Sequence, residues 1–99
     1  MLPTVAKEAI CAVLQEIQTT QGFDCPALSG TTKPLKDLPN FDSPVSIAAT
    51  GMVARKLKIT IPADVNIFGN EDGVFSIDKT AAMICSIVAE TEKEKGVLA

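Results

Sequence analysis

Histidine, tryptophan and tyrosine are all absent from this chain of 99 residues. Without histidine, the commonest general base and the commonest nitrogen ligand for zinc are missing. A Ser–His or Cys–His nucleophile pair is therefore excluded within the chain. Without tryptophan or tyrosine there is little for nucleobases to stack on. Lys and Arg are scattered and the net charge is −3, which argues against non-specific nucleic-acid binding. The three cysteines, Cys11, Cys25 and Cys85, are odd in number and widely spaced, so no disulfide framework is expected. Cys11 and Cys85 fit as small apolar residues on helix faces. No apolar run approaches the roughly 20 residues of a membrane span. The N-terminus has no basic segment leading into an apolar stretch, which points to a cytoplasmic protein. Asp37, Asp42, Asp64, Glu71 and Asp72 are dispersed through loops with no paired acid–base spacing and no calcium-loop pattern. The expectation is a protein that is not an enzyme and has no metal site.

Apolar residues make up 46 % of the chain, enough for one modest core in one domain spanning 1–99. The period of these residues is helical. Ala6, Ile10, Val13, Leu14 and Ile17 form one stripe from Thr4 to about Gln18, with Pro3 and Thr4 as its start. Residues 19–42 read as a long connection punctuated by Gly22, Pro26, Gly30, Pro34 and Pro39. Phe23, Leu28, Leu35, Leu38 and Phe41 are its expected anchors. A second helix starts at Ser43, read as its cap, with Pro44 at the first helical position, and ends near Lys58. Ile47, Gly51, Ala54 and Leu57 share one face of it. Residues 63–68 have room for one short helical turn, and residues 69–73 form a polar turn. The last helix runs from Ser76 to about Thr91, with Ile77, Ala81, Ile84 and Val88 as its stripe. Residues 1–3 and 92–99 are expected to fray. The fold class is all-α: a bundle of three main helices, a short fourth at most, and a long first loop.

The segment Asp42-Ser43-Pro44 carries the chemistry. A serine opening a helix is most simply a cap, yet the same place suits a phosphodiester. Free N–H groups and the positive end of the helix dipole favour negative charge there. No histidine is present to activate this hydroxyl, so a separate enzyme would have to modify it.

Residues 35–62 resemble the central part of the acyl carrier protein family. In that family an Asp-Ser pair follows a leucine-rich approach, and apolar residues recur four, ten and fourteen positions after the serine. An Ile-Pro pair closes the pattern, and here these offsets fall on Ile47, Val53, Leu57, Ile61 and Pro62. Lys36-Asp37-Leu38 is similar to the family's approach. The resemblance implies an acyl-carrier-like bundle in which Ser43 receives 4′-phosphopantetheine from coenzyme A. A phosphopantetheinyl transferase would attach the arm, with Asp42 helping it recognise the site. It also implies a pocket lined by Ile47, Val53, Leu57, Ile61 and Ile84 for part of an acyl chain, which acyl-transferring or acyl-activating enzymes would load and unload.

The family usually has an acidic second helix, whereas residues 43–62 here contain no Asp or Glu and carry Arg55, Lys56 and Lys58. That segment is +3 in a chain of −3, leaving −6 on the rest. Partners with basic patches would be repelled. Either the partners differ, or docking uses an apolar surface of Val45, Ala48, Ala49 and Met52 beside Arg55 and Lys56. Pro44 stands where the family commonly has Leu or Met. The expectation is therefore a specialised monomeric carrier of acyl thioesters. Two alternatives are an unmodified interaction module of the same fold, with Ser43 only a cap, and an unrelated small helical regulator.

Overall fold

The protein's structure, a computed structural model, describes residues 1–62 and 64–98, with side chains as far as Glu90. Four helices appear in chain order: α1 (Pro3–Thr20), α2 (Pro34–Asp37), α3 (Ser43–Leu57) and α4 (Ile77–Leu98). A two-stranded antiparallel ribbon, β1 (Gly69–Asn70) and β2 (Gly73–Val74), precedes α4. Among the described residues no helix is long and apolar enough to cross a membrane.

Helix α1 is the centre of the bundle, packing on both α3 and α4. It buries Ala6, Ala9, Ile10, Val13 and Leu14, the expected stripe, while Ile17 packs at the margin of the core. Its start differs from expectation. Leu2 occupies the cap position without a side-chain hydrogen bond and Pro3 is the first helical residue, which puts Thr4 inside the first turn. Its end lies at Thr20, and the fully buried Gln18 donates from Nε2 to the Pro39 carbonyl at 3.0 Å. That bond ties the long connection to α1.

The connection is shorter in irregular structure than its sequence suggests, because Pro34 opens the single turn α2. Leu38 and Phe41 are buried as expected. Phe41 meets Phe68 edge-on, with ring centroids 5.2 Å apart, and so pins both long loops together. Gly30 approaches the start of α4 so closely that a Cβ there would meet the Asp78 carboxylate. Its carbonyl accepts the Asp78 N–H at 2.9 Å, and Asp78 in turn pairs with Lys7 at 3.4 Å.

Helix α4 starts and buries its stripe as expected but runs to Leu98, beyond the expected end near Thr91. The Ser76 hydroxyl accepts the Lys79 N–H at 3.1 Å as a cap, and Ile77, Ala81, Ile84 and Val88 are buried. The fraying expected of residues 92–99 falls outside the described side chains, and Ala99 lies outside the described residues. The short helix expected over 63–68 is not formed at 64–68, where the chain makes turns, and Ala63 lies outside the described residues. Buried Ile67 and Phe68 hold this stretch against the core instead. The polar turn at 69–73 closes the small ribbon, in which Gly69 pairs with Val74 and Asn70 with Gly73. The Asn70 side chain accepts the Asp72 N–H at 2.8 Å, and Gly73 takes φ +144°, which an L-residue side chain resists.

Candidate functional site at the start of helix α3

Asp42, not Ser43, caps α3. Its carboxylate accepts the Val45 N–H at 3.1 Å, and its carbonyl accepts the Ser46 N–H at 2.8 Å. Ser43 is the first helical residue, Pro44 the second, and both are exposed. The cap reading of Ser43 is thereby corrected. A serine one residue inside the helix no longer has the extended backbone that lets a side chain reach N–H groups ahead of it. Among the described residues Ser43 Oγ makes no hydrogen bond. The expected array of free N–H groups is also reduced: Pro44 has none, Asp42 takes that of Val45, and Ser43's own remains.

The face of α3 turned to the core is not the one read from the sequence. Ser46, Ala49, Thr50 and Val53 are buried, whereas Ile47 is 57 % exposed and Gly51 faces open space. The buried hydroxyls are tolerated because each has partners. Ser46 Oγ donates to the Ser43 carbonyl at 2.8 Å and accepts from Asn66 Nδ2 at 2.7 Å. Thr50 Oγ1 donates to the Ser46 carbonyl at 2.9 Å and receives the Ile67 N–H at 3.4 Å. Asn66 Oδ1 accepts the Phe68 N–H at 2.9 Å, and Thr80 on α4 donates to the Ile67 carbonyl at 2.9 Å. A chain of polar contacts thus runs from the backbone beneath Ser43 through residues 66–68 to α4. These hydroxyls find partners elsewhere in the chain; the sequence placed Thr50 between the residues of the expected face and gave Ser46 no role.

Two further corrections follow from that rotation. Of the expected acyl-pocket residues, Val53 and Ile84 are fully buried in the packed core, Leu57 and Ile61 are half-buried at its edge, and Ile47 lies outside on the surface. Ile47 therefore does not face the core with the other four. Of the expected docking residues, Ala49 is fully buried against the core and unavailable to a partner. Val45 and Met52 are half-buried, and Ala48, Arg55 and Lys56 are exposed. Lys58 ends the helix at φ +56°. Among the described residues no carboxylate pairs with Arg55, Lys56 or Lys58.

What the sequence reading missed is a groove of about 530 Å³ between the end of α1 and the start of α3. Pro44, Val45, Ala48 and Met52 form one wall, and Glu16, Ile17, Thr20 and Gln21 the other. The α3 wall belongs to the expected docking set. The α1 wall had no signal in the sequence beyond Ile17, since Thr20 and Gln21 were read as loop. A second cleft of about 520 Å³, beside the ribbon, gathers Asp64, Glu71 and Asp72 near Val65, Asn66 and Met83. Among the described residues no group of three or more His, Cys, Asp or Glu side chains is placed to hold a metal ion.

Cys11 and Cys85 pack at the margin of the core, as expected, and Cys25 is half-buried in the first loop. Burial pushes the Cys11 thiol above its ordinary value, with Lys7 opposing and Cys25 adding to the shift. Burial likewise raises Cys25.

No protein-family model, curated protein or solved structure matches the chain.

Proposed function

We propose that this chain is a specialised acyl carrier. On this reading it tethers acyl groups as thioesters on a 4′-phosphopantetheine arm attached to Ser43 and performs no reaction itself. The observation that supports the reading most directly is the state of the Ser43 hydroxyl. It is exposed, carries no hydrogen bond, and is released from capping by Asp42. A side chain kept for stability would normally be engaged. One left free at the start of a fifteen-residue helix is open to an outside enzyme.

A phosphopantetheinyl transferase would supply the base that the chain lacks. Ser43 Oγ would attack the phosphorus of coenzyme A that bears the pantetheine. The pyrophosphate bond would break, and the nucleotide would leave with the displaced oxygen. Asp42, fixed on the Val45 N–H, would present a carboxylate beside the serine for the transferase to read. The arm's thiol supplies the acyl attachment point. The polar contacts through Ser46 and Asn66 would hold the backbone under Ser43 in one geometry while partners approach.

The exposed, uncompensated basic residues Arg55, Lys56 and Lys58 favour partners with acidic docking patches, in keeping with a role outside bulk fatty-acid synthesis. The same exposed face, with Ile47 on it, would serve an unmodified interaction module if Ser43 were never loaded.

Intact mass after incubation with coenzyme A, magnesium and a broad-specificity transferase decides between the two. The expected result is a gain of one phosphopantetheine that is absent in Ser43→Ala. No gain in folded protein, with a control carrier modified in the same tube, would discard the carrier reading in favour of the interaction module.

A further inference from the structure

The core and the groove offer different places for an acyl chain. Val53, Ile67, Phe68 and Ile84 are fully buried against one another, and a chain entering there would have to push apart side chains already in contact. The groove between α1 and α3 needs no such opening. Pro44, the neighbour of Ser43 in the chain, is part of its wall, so an arm attached to Ser43 starts one residue from the groove. Tethering of this kind holds a ligand at an effective concentration in the millimolar range without any new contact.

The lining also says what kind of group fits. Val45, Ala48, Met52 and Ile17 offer hydrocarbon, and each buried methylene favours binding. Thr20 and Gln21 add polar side chains on the α1 side, of a kind that can hydrogen-bond the amides of an arm. The one ionisable side chain in the lining is Glu16. A free carboxylate or a phosphate would meet a like charge there, whereas an acyl group held as a thioester has given up its charge.

We propose that the groove walled by Ile17 on α1 and by Pro44, Val45, Ala48 and Met52 on α3 is the resting site of the neutral acyl chain borne by Ser43. It would take the place of the core pocket expected from the sequence. This assignment rests on the carrier reading.

The test uses the whole protein loaded from a coenzyme A thioester of octanoate bearing a terminal diazirine. A broad-specificity transferase carries out the loading, and intact mass reports it. Irradiation followed by peptide mapping then locates the far end of the chain. Adducts confined to residues 16–21 and 44–52, and lost in loaded Ala48→Glu, are the expected result. Ala48 is exposed, so the variant keeps the core, and circular dichroism checks that it is folded. Adducts at Val53, Ile67 or Ile84, adducts on a second copy, or quenching by water alone would overturn the groove and leave the carrier reading standing. Groove adducts that persist in Ala48→Glu would also overturn it. Failure to gain mass at the loading step would instead overturn the carrier reading, and the groove assignment with it.

Discussion

Replacing Asp42 by Ala removes the carboxylate that accepts the Val45 N–H at 3.1 Å at the start of α3. Loss of a side-chain cap typically costs about 1 kcal/mol, within a range of roughly 0.5–2. Part of that is the favourable placing of a negative charge at the positive end of the helix, worth about 0.3–1 kcal/mol on an exposed site. Asp42→Asn keeps an acceptor and loses only the charge, so it should fall between the wild type and Asp42→Ala. In a domain of this size about 1 kcal/mol lowers the thermal midpoint by roughly 4–8 °C. Ser43→Ala removes an exposed hydroxyl without a partner, so its effect should stay within about 0.5 kcal/mol. Urea and thermal unfolding followed by far-ultraviolet circular dichroism would rank the three variants. If Ser43→Ala were as destabilising as Asp42→Ala, the serine would be the cap after all. The main support for reading Ser43 as a modification site would then be gone.

The other expectations concern the core and the thiols. Ile84→Ala should cost about 2–5 kcal/mol through lost burial and a residual cavity, whereas Ile47→Ala should stay within about 0.5 kcal/mol. Comparable losses in urea unfolding would mean that Ile47 is packed after all. Thr80→Val should cost about 1 kcal/mol because the buried Ile67 carbonyl loses its donor, and an unchanged urea midpoint would refute that link. Cys11 and Cys25 should react with iodoacetamide at mildly alkaline pH more slowly than a free thiol, since burial holds both in the protonated form. The folded state keeps these protons where the unfolded thiols, titrating near 9.0, have lost them. Stability should therefore fall as pH rises above 9.0, and a urea midpoint flat across that range would contradict the shift.

Much of the architecture was legible because it is local. The stripes Ala6-Ile10-Val13-Leu14 and Ile77-Ala81-Ile84-Val88 have a period of three and four residues that admits one structure, and the fold buries both. Ser76 is a cap in sequence and in space, since a hydroxyl there needs only an N–H three residues ahead. Leu38 and Phe41 were recognisable as anchors because large apolar side chains in a polar loop have to go inside.

The start of α3 was harder to read. Asp42, Ser43 and Pro44 each suit the first positions of a helix, so composition alone could not tell whether the cap was the aspartate or the serine. Ile47 looks like core and Ser46 offers no apolar signal, until Asn66 and Ile67 supply partners for the Ser46 and Thr50 hydroxyls and bury that side of the helix.

By itself the sequence determined the three long helices, the anchoring of the first loop and the small serine-bearing helix start, because each follows from residues within a turn or two of one another. Only the tertiary structure decided which face of α3 is buried, that Asp42 frees Ser43, and that the end of α1 and the start of α3 enclose a groove. The buried face and the groove depend on groups far apart in the chain, whose contacts exist only once the helices have packed, whereas the Asp42 cap is local but one of two equally plausible starts in sequence.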